Sequence, residues 1–161
     1  MIQAKEMMSQ SLITIGSDEP IYRAYHIMKS RNIRHLPVSD KNKEIVGVLS
    51  DRDVQRAMVS KGVEDDAGLL VQETSFAPGI TSGDHMSRPV RVFDAKIELR
   101  KIARCIVDEK ISCVLLTRDS KVVGVLTSED LIKYLLTLLE VSSDERYVEA
   151  GTIFDQNYMA L

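Results

Sequence analysis

Two carboxylates in this chain stand in the same local setting. Asp53 ends the phrase Val46-Gly47-Val48-Leu49-Ser50-Asp51-Arg52-Asp53, and Asp130 ends Val123-Gly124-Val125-Leu126-Thr127-Ser128-Glu129-Asp130. In both, an apolar run gives way to a hydroxyl residue and, three positions on, to the acid. Two chemistries suit that arrangement. A hydroxyl at a helix start can accept from the amide three residues later while the acid reaches back to the cap amide, which is a capping box. An ionised carboxylate can also take both hydroxyls of a ribose, and the exposed amides and positive dipole end of a helix N-terminus suit phosphate. A single occurrence would read as a cap. Recurrence at equivalent places, each directly after Gly-Val-Leu, points to the second use.

The elements that must position these residues repeat as well. The two aspartates are 77 positions apart, while Met8-Ser9 and Met86-Ser87, like Ile33 and Ile111, are 78 apart; one residue lost near Lys43 accounts for the difference. Long-period repetition of this kind fixes the folding unit. Asp18-Glu19-Pro20 marks a helix start, followed by the apolar stripe Ile21, Ala24, Tyr25 and Met28. Leu99, Ile102, Ala103 and Ile106 form the same stripe in the second copy. Runs at 33–38 and 111–117, polar turns, and runs at 45–49 and 122–126 predict two hairpins. Pro37 is expected at a strand end or edge, and Gly47 and Gly124 at a bulge or close backbone approach. Helices are expected over about 52–61 and 129–140. The second carries leucines on several faces, so a partner subunit is its simplest cover. The segments are repeat 1 (2–60), a linker (61–82) in which Leu69-Leu70-Val71 tucks against the core, repeat 2 (83–140) and a tail (141–161). The tail, with Tyr147, Phe154 and Tyr158, is expected to pack on the module or its partner.

Composition sets the outer bounds. The 161 residues, 44% hydrophobic and 28% charged, are ordinary for a soluble α/β domain or two small repeats sharing a core. A net charge of −3 and the absence of Trp argue against nucleic acid as a partner. No apolar stretch approaches a membrane span, and the N-terminus lacks the core of a signal peptide, so a cytoplasmic location is expected. Cys105 and Cys113 sit in apolar contexts with no ligand spacing around them, and read as buried hydrophobes rather than metal ligands. His26 and His85 have no carboxylate or thiol partner at useful spacing. No P-loop, nucleophile elbow or acid–base pair indicates an enzyme.

The doubled phrase, the doubled Met-Ser and Ile33-Arg34-His35-Leu36-Pro37-Val38 together resemble a tandem cystathionine-β-synthase (CBS) domain pair, or Bateman module, over about residues 2–60 and 80–140. The resemblance implies two pseudo-symmetric β-α-β-β-α repeats packed through their sheets. It also implies clefts between them for an adenine nucleotide acting as regulatory ligand, with no cofactor required. Residue by residue, Asp53 and Asp130 would hold ribose hydroxyls, with Ser50 and Thr127 beside them, and Val48 and Val125 would border the purine. Ile33, Arg34 and His35, with their counterparts Ile111, Ser112 and Cys113, would line both clefts. Ser11 and Ile13 would stand beside Asp130, and Pro89 and Arg91 beside Asp53. The second copy departs from the pattern, with Leu115 for the proline and Ser112-Cys113 for the basic pair.

The function expected on these grounds is ligand sensing, with the occupied state passed by a homodimer to a regulated protein. The rival readings are an interaction scaffold whose aspartates are only caps, and an enzyme using Asp53 as a base. Phosphate is expected to prefer the Asp53 cleft, which would gather Arg52, Arg34, His35, Arg88 and Arg91. The other cleft has Glu129 where the first has Arg52.

Overall fold

The computed structural model describes residues 2–8, 11–64 and 69–139. After a 3₁₀ turn at Ala4–Glu6, the first repeat runs β1 (Ile15–Gly16), α1 (Ile21–Arg31), β2 (His35–Ser39), β3 (Ile45–Ser50) and α2 (Asp51–Arg56). A hairpin, β4 (Met58–Glu64) and β5 (Leu70–Phe76), and a short α3 (Ser82–His85) lead to the second repeat. That repeat is β6 (Val92–Asp94), α4 (Leu99–Glu109), β7 (Cys113–Arg118), β8 (Lys121–Thr127) and α5 (Ser128–Leu139). Each repeat is thus the expected β-α-β-β-α unit. Its three-stranded sheet pairs the first strand parallel and the third antiparallel to the middle one.

The sequence stripes bury as their period requires. Ile21, Ala24 and Met28 of α1 pack with Leu36, Val38 and Leu49; Leu99, Ile102 and Ile106 of α4 pack with Val114, Leu116 and Leu126. Tyr25 and Ala103 are only half-buried. Both helices end on a residue in the left-handed region, Asn32 (φ 51°) and Lys110 (φ 54°), which turns the chain into the middle strand. Alternation along the strands places Pro37, Val48 and Leu115 on the faces opposite these cores, yet all three are buried.

The glycine expectation holds at both positions. Val38 faces Gly47 and Ser39 faces Ile45, so Val46 is an extra, bulged residue; Val123 is bulged beside Gly124 in the same way. A Cβ on Gly47 would also collide with the side chain of Met86. Pro37 lies inside β2 rather than at its end, for a readable reason. Its partner Val48 directs both N–H and C=O to Ser87, so Pro37–Val48 is a pair without ladder bonds. On the other flank β1 reaches only Val38 and Ser39. Pro37 therefore has no donor to lose, whereas its counterpart Leu115 donates to Arg91 O at 2.9 Å.

Two expectations need correction. The helix predicted to Lys61 stops at Arg56, because Met58-Val59-Ser60-Lys61-Gly62-Val63 pairs residue for residue with β5, and β-branched residues and glycine favour that over helix. Leu69 and Leu70 are not tucked in; they are 64% and 80% exposed. Glu140, at the end expected for the last helix, and the tail residues Tyr147, Phe154 and Tyr158 lie outside the described residues.

Each repeat is completed by the segment that leads into the other. Ala4 N donates to Ile97 O, Lys5 N to Ala95 O, and Leu99 N to Ile2 O, which lays the N-terminal turn on the second core. Reciprocally, Ser82 N donates to Glu19 O and Gly83 N to Ser17 O, and Ile80 and Met86 pack on the first core.

Candidate functional site

This crossed arrangement leaves clefts between the repeats, and the repeated aspartates line two of them. In the first, of about 470 Å³, Val48, Ser50, Arg52 and Asp53 rise from the β3–α2 corner. They face Ser87 to Arg91 of the second lead-in and Ile111, Ser112 and Cys113 at the start of β7. In the second, of about 320 Å³, Val125, Thr127, Glu129 and Asp130 rise from the β8–α5 corner. They face Ser11 and Ile13 of the first lead-in and Ile33, Arg34 and His35 at the start of β2. The strand-start residues therefore serve the clefts crosswise, not both clefts alike. Among the described residues only His35 lines both. Arg34, expected in both clefts and counted among the charges of the Asp53 cleft, lines the Asp130 cleft and not the other, and its Nε donates to Asp51 Oδ2 at 2.8 Å.

The capping box is real in both copies. Asp53 Oδ2 accepts from Ser50 N at 2.9 Å and Ser50 Oγ at 2.6 Å, and Asp53 N donates back to Ser50 Oγ at 3.3 Å. Asp130 Oδ2 accepts from Thr127 N at 2.8 Å and Thr127 Oγ1 at 2.7 Å. The box uses one carboxylate oxygen only. Asp53 Oδ1 receives a single long contact, from Arg56 Nη1 at 3.4 Å, and Asp130 Oδ1 receives no hydrogen bond from the described residues. Capping and a hydroxyl grip are therefore compatible on the same side chain.

Charge separates the clefts. The Asp53 cleft sets Arg52, Arg56, Arg88, Arg91 and Lys110 against Asp53 and Glu109. The Asp130 cleft sets Arg31, Arg34 and Lys133 against Glu129 and Asp130. Lys133 bonds Glu129 at 2.8 Å and holds its carboxyl below the usual range, and Arg91 is tied to Glu109. Among the described residues Arg52, Arg88 and Lys110 form no ion pair. Burial pushes the Cys113 thiol up to about 12, with Asp53 adding to the effect, so it meets the cleft as a neutral thiol. Burial likewise lowers the His35 imidazole below its ordinary value. Sequence reading missed the helix-end residues Arg31-Asn32 and Glu109-Lys110. Their signal was the matching break of the two helices, with a turn-tolerant asparagine at one of them.

The CBS domain family profile matches residues 4–60 and 83–137. The chain belongs to the CBS domain family. A CBS domain-containing protein of Dictyostelium discoideum is 26% identical over 141 residues, 86% of this chain and 94% of that protein. The uncharacterised protein MJ1225 of Methanocaldococcus jannaschii is 24% identical over 131 residues, 81% of this chain; the chain spans 42% of MJ1225. Among solved structures, the CBS domain pair of protein MJ0100, in complex with 5′-methylthioadenosine and S-adenosyl-L-methionine, superposes with a TM-score of 0.68 at 24% identity. That match covers 86% of this chain and 98% of the MJ0100 chain. The two CBS repeats, their order and their sheets are those of this family. Among the described residues no helix is long and apolar enough to cross a membrane, and no cluster of His, Cys, Asp and Glu could hold a metal ion.

Proposed function

We propose that this CBS pair is a sensor of an adenosine-containing ligand, bound in the clefts and reported to a regulated protein by a homodimer. It is a binding module, not a catalyst. The observation that carries the reading is the division of labour within each repeated aspartate: Oδ2 closes the helix cap while Oδ1 stays available beside a cleft. A carboxylate oxygen so placed suits ribose hydroxyls, Val48 and Val125 offer apolar contact for a purine, and the helix N-termini attract phosphate. The ligands named for the MJ0100 pair both carry adenosine, which supports the same chemistry here.

The unequal charges divide the ligands. A nucleotide phosphate is favoured in the Asp53 cleft, with Arg52, Arg88 and Lys110, over the Asp130 cleft, which has fewer cations to offer. A ligand bridging two repeats favours the closed arrangement, and the exposed apolar side of α5 (Ile132, Leu135, Leu136) is the surface through which a second copy would read it. The test is thermal unfolding with AMP, ADP, ATP, NAD and S-adenosylmethionine in turn. Ligand at ~100 times its Kd stabilises by about 2.7 kcal/mol, a rise of roughly 5–10 °C for a chain of this size. If no member moves Tm by a degree at millimolar concentration, the clefts are empty and the module is a scaffold.

A further inference from the structure

Among the described residues His35 is the one common to both clefts. Its Nε2 lies 2.6 Å from Ser112 Oγ, so it joins the strand start of one repeat to that of the other. Charged groups of both repeats act on it. Arg34 adjoins it in the chain, Asp51 and Asp53 face it from α2, and Asp130 and Glu129 from α5. Burial and Arg34 oppose a proton on the ring, and the three aspartates favour one. The balance leaves the imidazole below its ordinary proton affinity in the free protein. The repeat counterpart Cys113 is a neutral thiol and cannot take that part.

We infer that His35 is a proton-carrying contact shared by the two clefts: the first anionic ligand to arrive in either draws a proton onto the ring, and the second meets a cation already formed. The inference rests on the nucleotide reading above. A phosphate nearby favours imidazolium, as any opposite charge does. The link to Ser112 survives the change, because its hydroxyl donates to a neutral Nε2 or accepts from a protonated one by rotating. The sign follows. The ring's pKa starts low in the free protein and rises in the complex, so ligand affinity is greatest at low pH and falls as pH rises through the bound-state value. Each unit by which the ligand raises that pKa is worth up to tenfold in affinity.

The experiment is isothermal titration of the full chain with ADP, in buffers of different ionisation enthalpy, between pH 6.5 and 8. Adenosine is the phosphate-free probe, and His35→Gln keeps a polar partner for Ser112 while removing the titration. Wild type should take up more protons than His35→Gln, by an amount that stays at or below one per chain whether one or two ADP bind. Adenosine should cause no such difference. Equal uptake in His35→Gln, or one extra proton for each ADP, overturns the inference while leaving nucleotide binding intact. No binding of ADP or adenosine overturns the nucleotide reading and this inference together. Should His35→Gln fail to fold, an NMR titration of the His35 ring with and without ADP decides: an unmoved midpoint refutes the idea.

Discussion

Replacing Asp53 by Asn separates the two uses of its carboxylate, because the structure assigns them to different oxygens. In the native side chain Oδ2 accepts from Ser50 N and Ser50 Oγ, and among the described residues Oδ1 has only the long contact to Arg56. Asparagine has one acceptor oxygen, which takes over the Ser50 bonds. Its amide group then occupies the place of Oδ1. The cap loses charge assistance but keeps its geometry, so stability should fall by no more than about 0.5 kcal/mol, roughly 1–2 °C in Tm. A ligand hydroxyl loses far more. It no longer meets a charged acceptor, and a hydrogen bond to a charged group is worth about 1.5–3 kcal/mol. Affinity at the Asp53 cleft should therefore fall about 10- to 150-fold. Titration calorimetry with ADP, paired with a thermal melt of the free variant, measures both quantities. Asp53→Ala supplies the contrast, because it leaves Ser50 N–H without its partner and should cost about 1 kcal/mol of stability as well. If Asp53→Asn binds ADP like wild type while its Tm falls by several degrees, Asp53 is a cap and the ribose reasoning is wrong.

The other predictions concern the frame around the clefts. The protein should sediment at about twice 18.1 kDa, and Leu135→Asp on the exposed side of α5 should return it to the single-chain mass; a wild-type monomer at tens of micromolar refutes this. Gly83→Ala sets a Cβ 2.9 Å from the carbonyl oxygen of Ser17, a backbone atom that cannot swing aside, and should cost about 1–3 kcal/mol or roughly 2–12 °C in Tm; an unchanged melt refutes the close approach. Cys113, held at about 12, should resist iodoacetamide in the native protein at pH 8.5 and react once unfolded, as peptide mass spectrometry would show; native labelling at the unfolded rate refutes its burial. The folded state keeps that thiol neutral while the unfolded chain ionises it from about pH 9, so its contribution to stability declines as pH rises from there through 12.

Much of the fold was legible because its signals are local and doubled. The stripe Ile21, Ala24, Met28 and its partner Leu99, Ile102, Ile106 found the two helices, and Gly47 and Gly124 found the bulges. What was missed depended on pairing at a distance. The stretch after Arg56 looked helical until β5 supplied a strand to pair with it, and the exposure of Leu69 and Leu70 follows from their place at the far end of that hairpin. The candidate site behaved in the same way. The repeated phrase located both aspartates, yet periodicity cannot say which strand start crosses to which cleft. Arg34 went to the Asp130 cleft because its carbonyl holds Asp51 N at 2.9 Å and its guanidinium follows that carboxylate.

The crossed lead-ins decide what kind of motion such a module can use. Ala4, Met7 and Met8 pack on the second core, and Ile80 and Met86 on the first. Swinging the repeats apart would pull these side chains out of cores to which they are bonded through Ala4, Lys5, Ser82 and Gly83. Each such apolar side chain costs on the order of 1–3 kcal/mol to expose, so a wide hinge is opposed by several of them at once. The clefts can therefore widen or narrow only slightly, and the closure proposed for a bound ligand is one of small amplitude. On the proposed reading a ligand would act on them through what is free to change at small amplitude: the guanidinium groups at the rim, the proton on His35 and a slight rotation of one repeat against the other. Helices α2 and α5 begin at residues that line the clefts, so any such rotation would reach the apolar side of α5 directly.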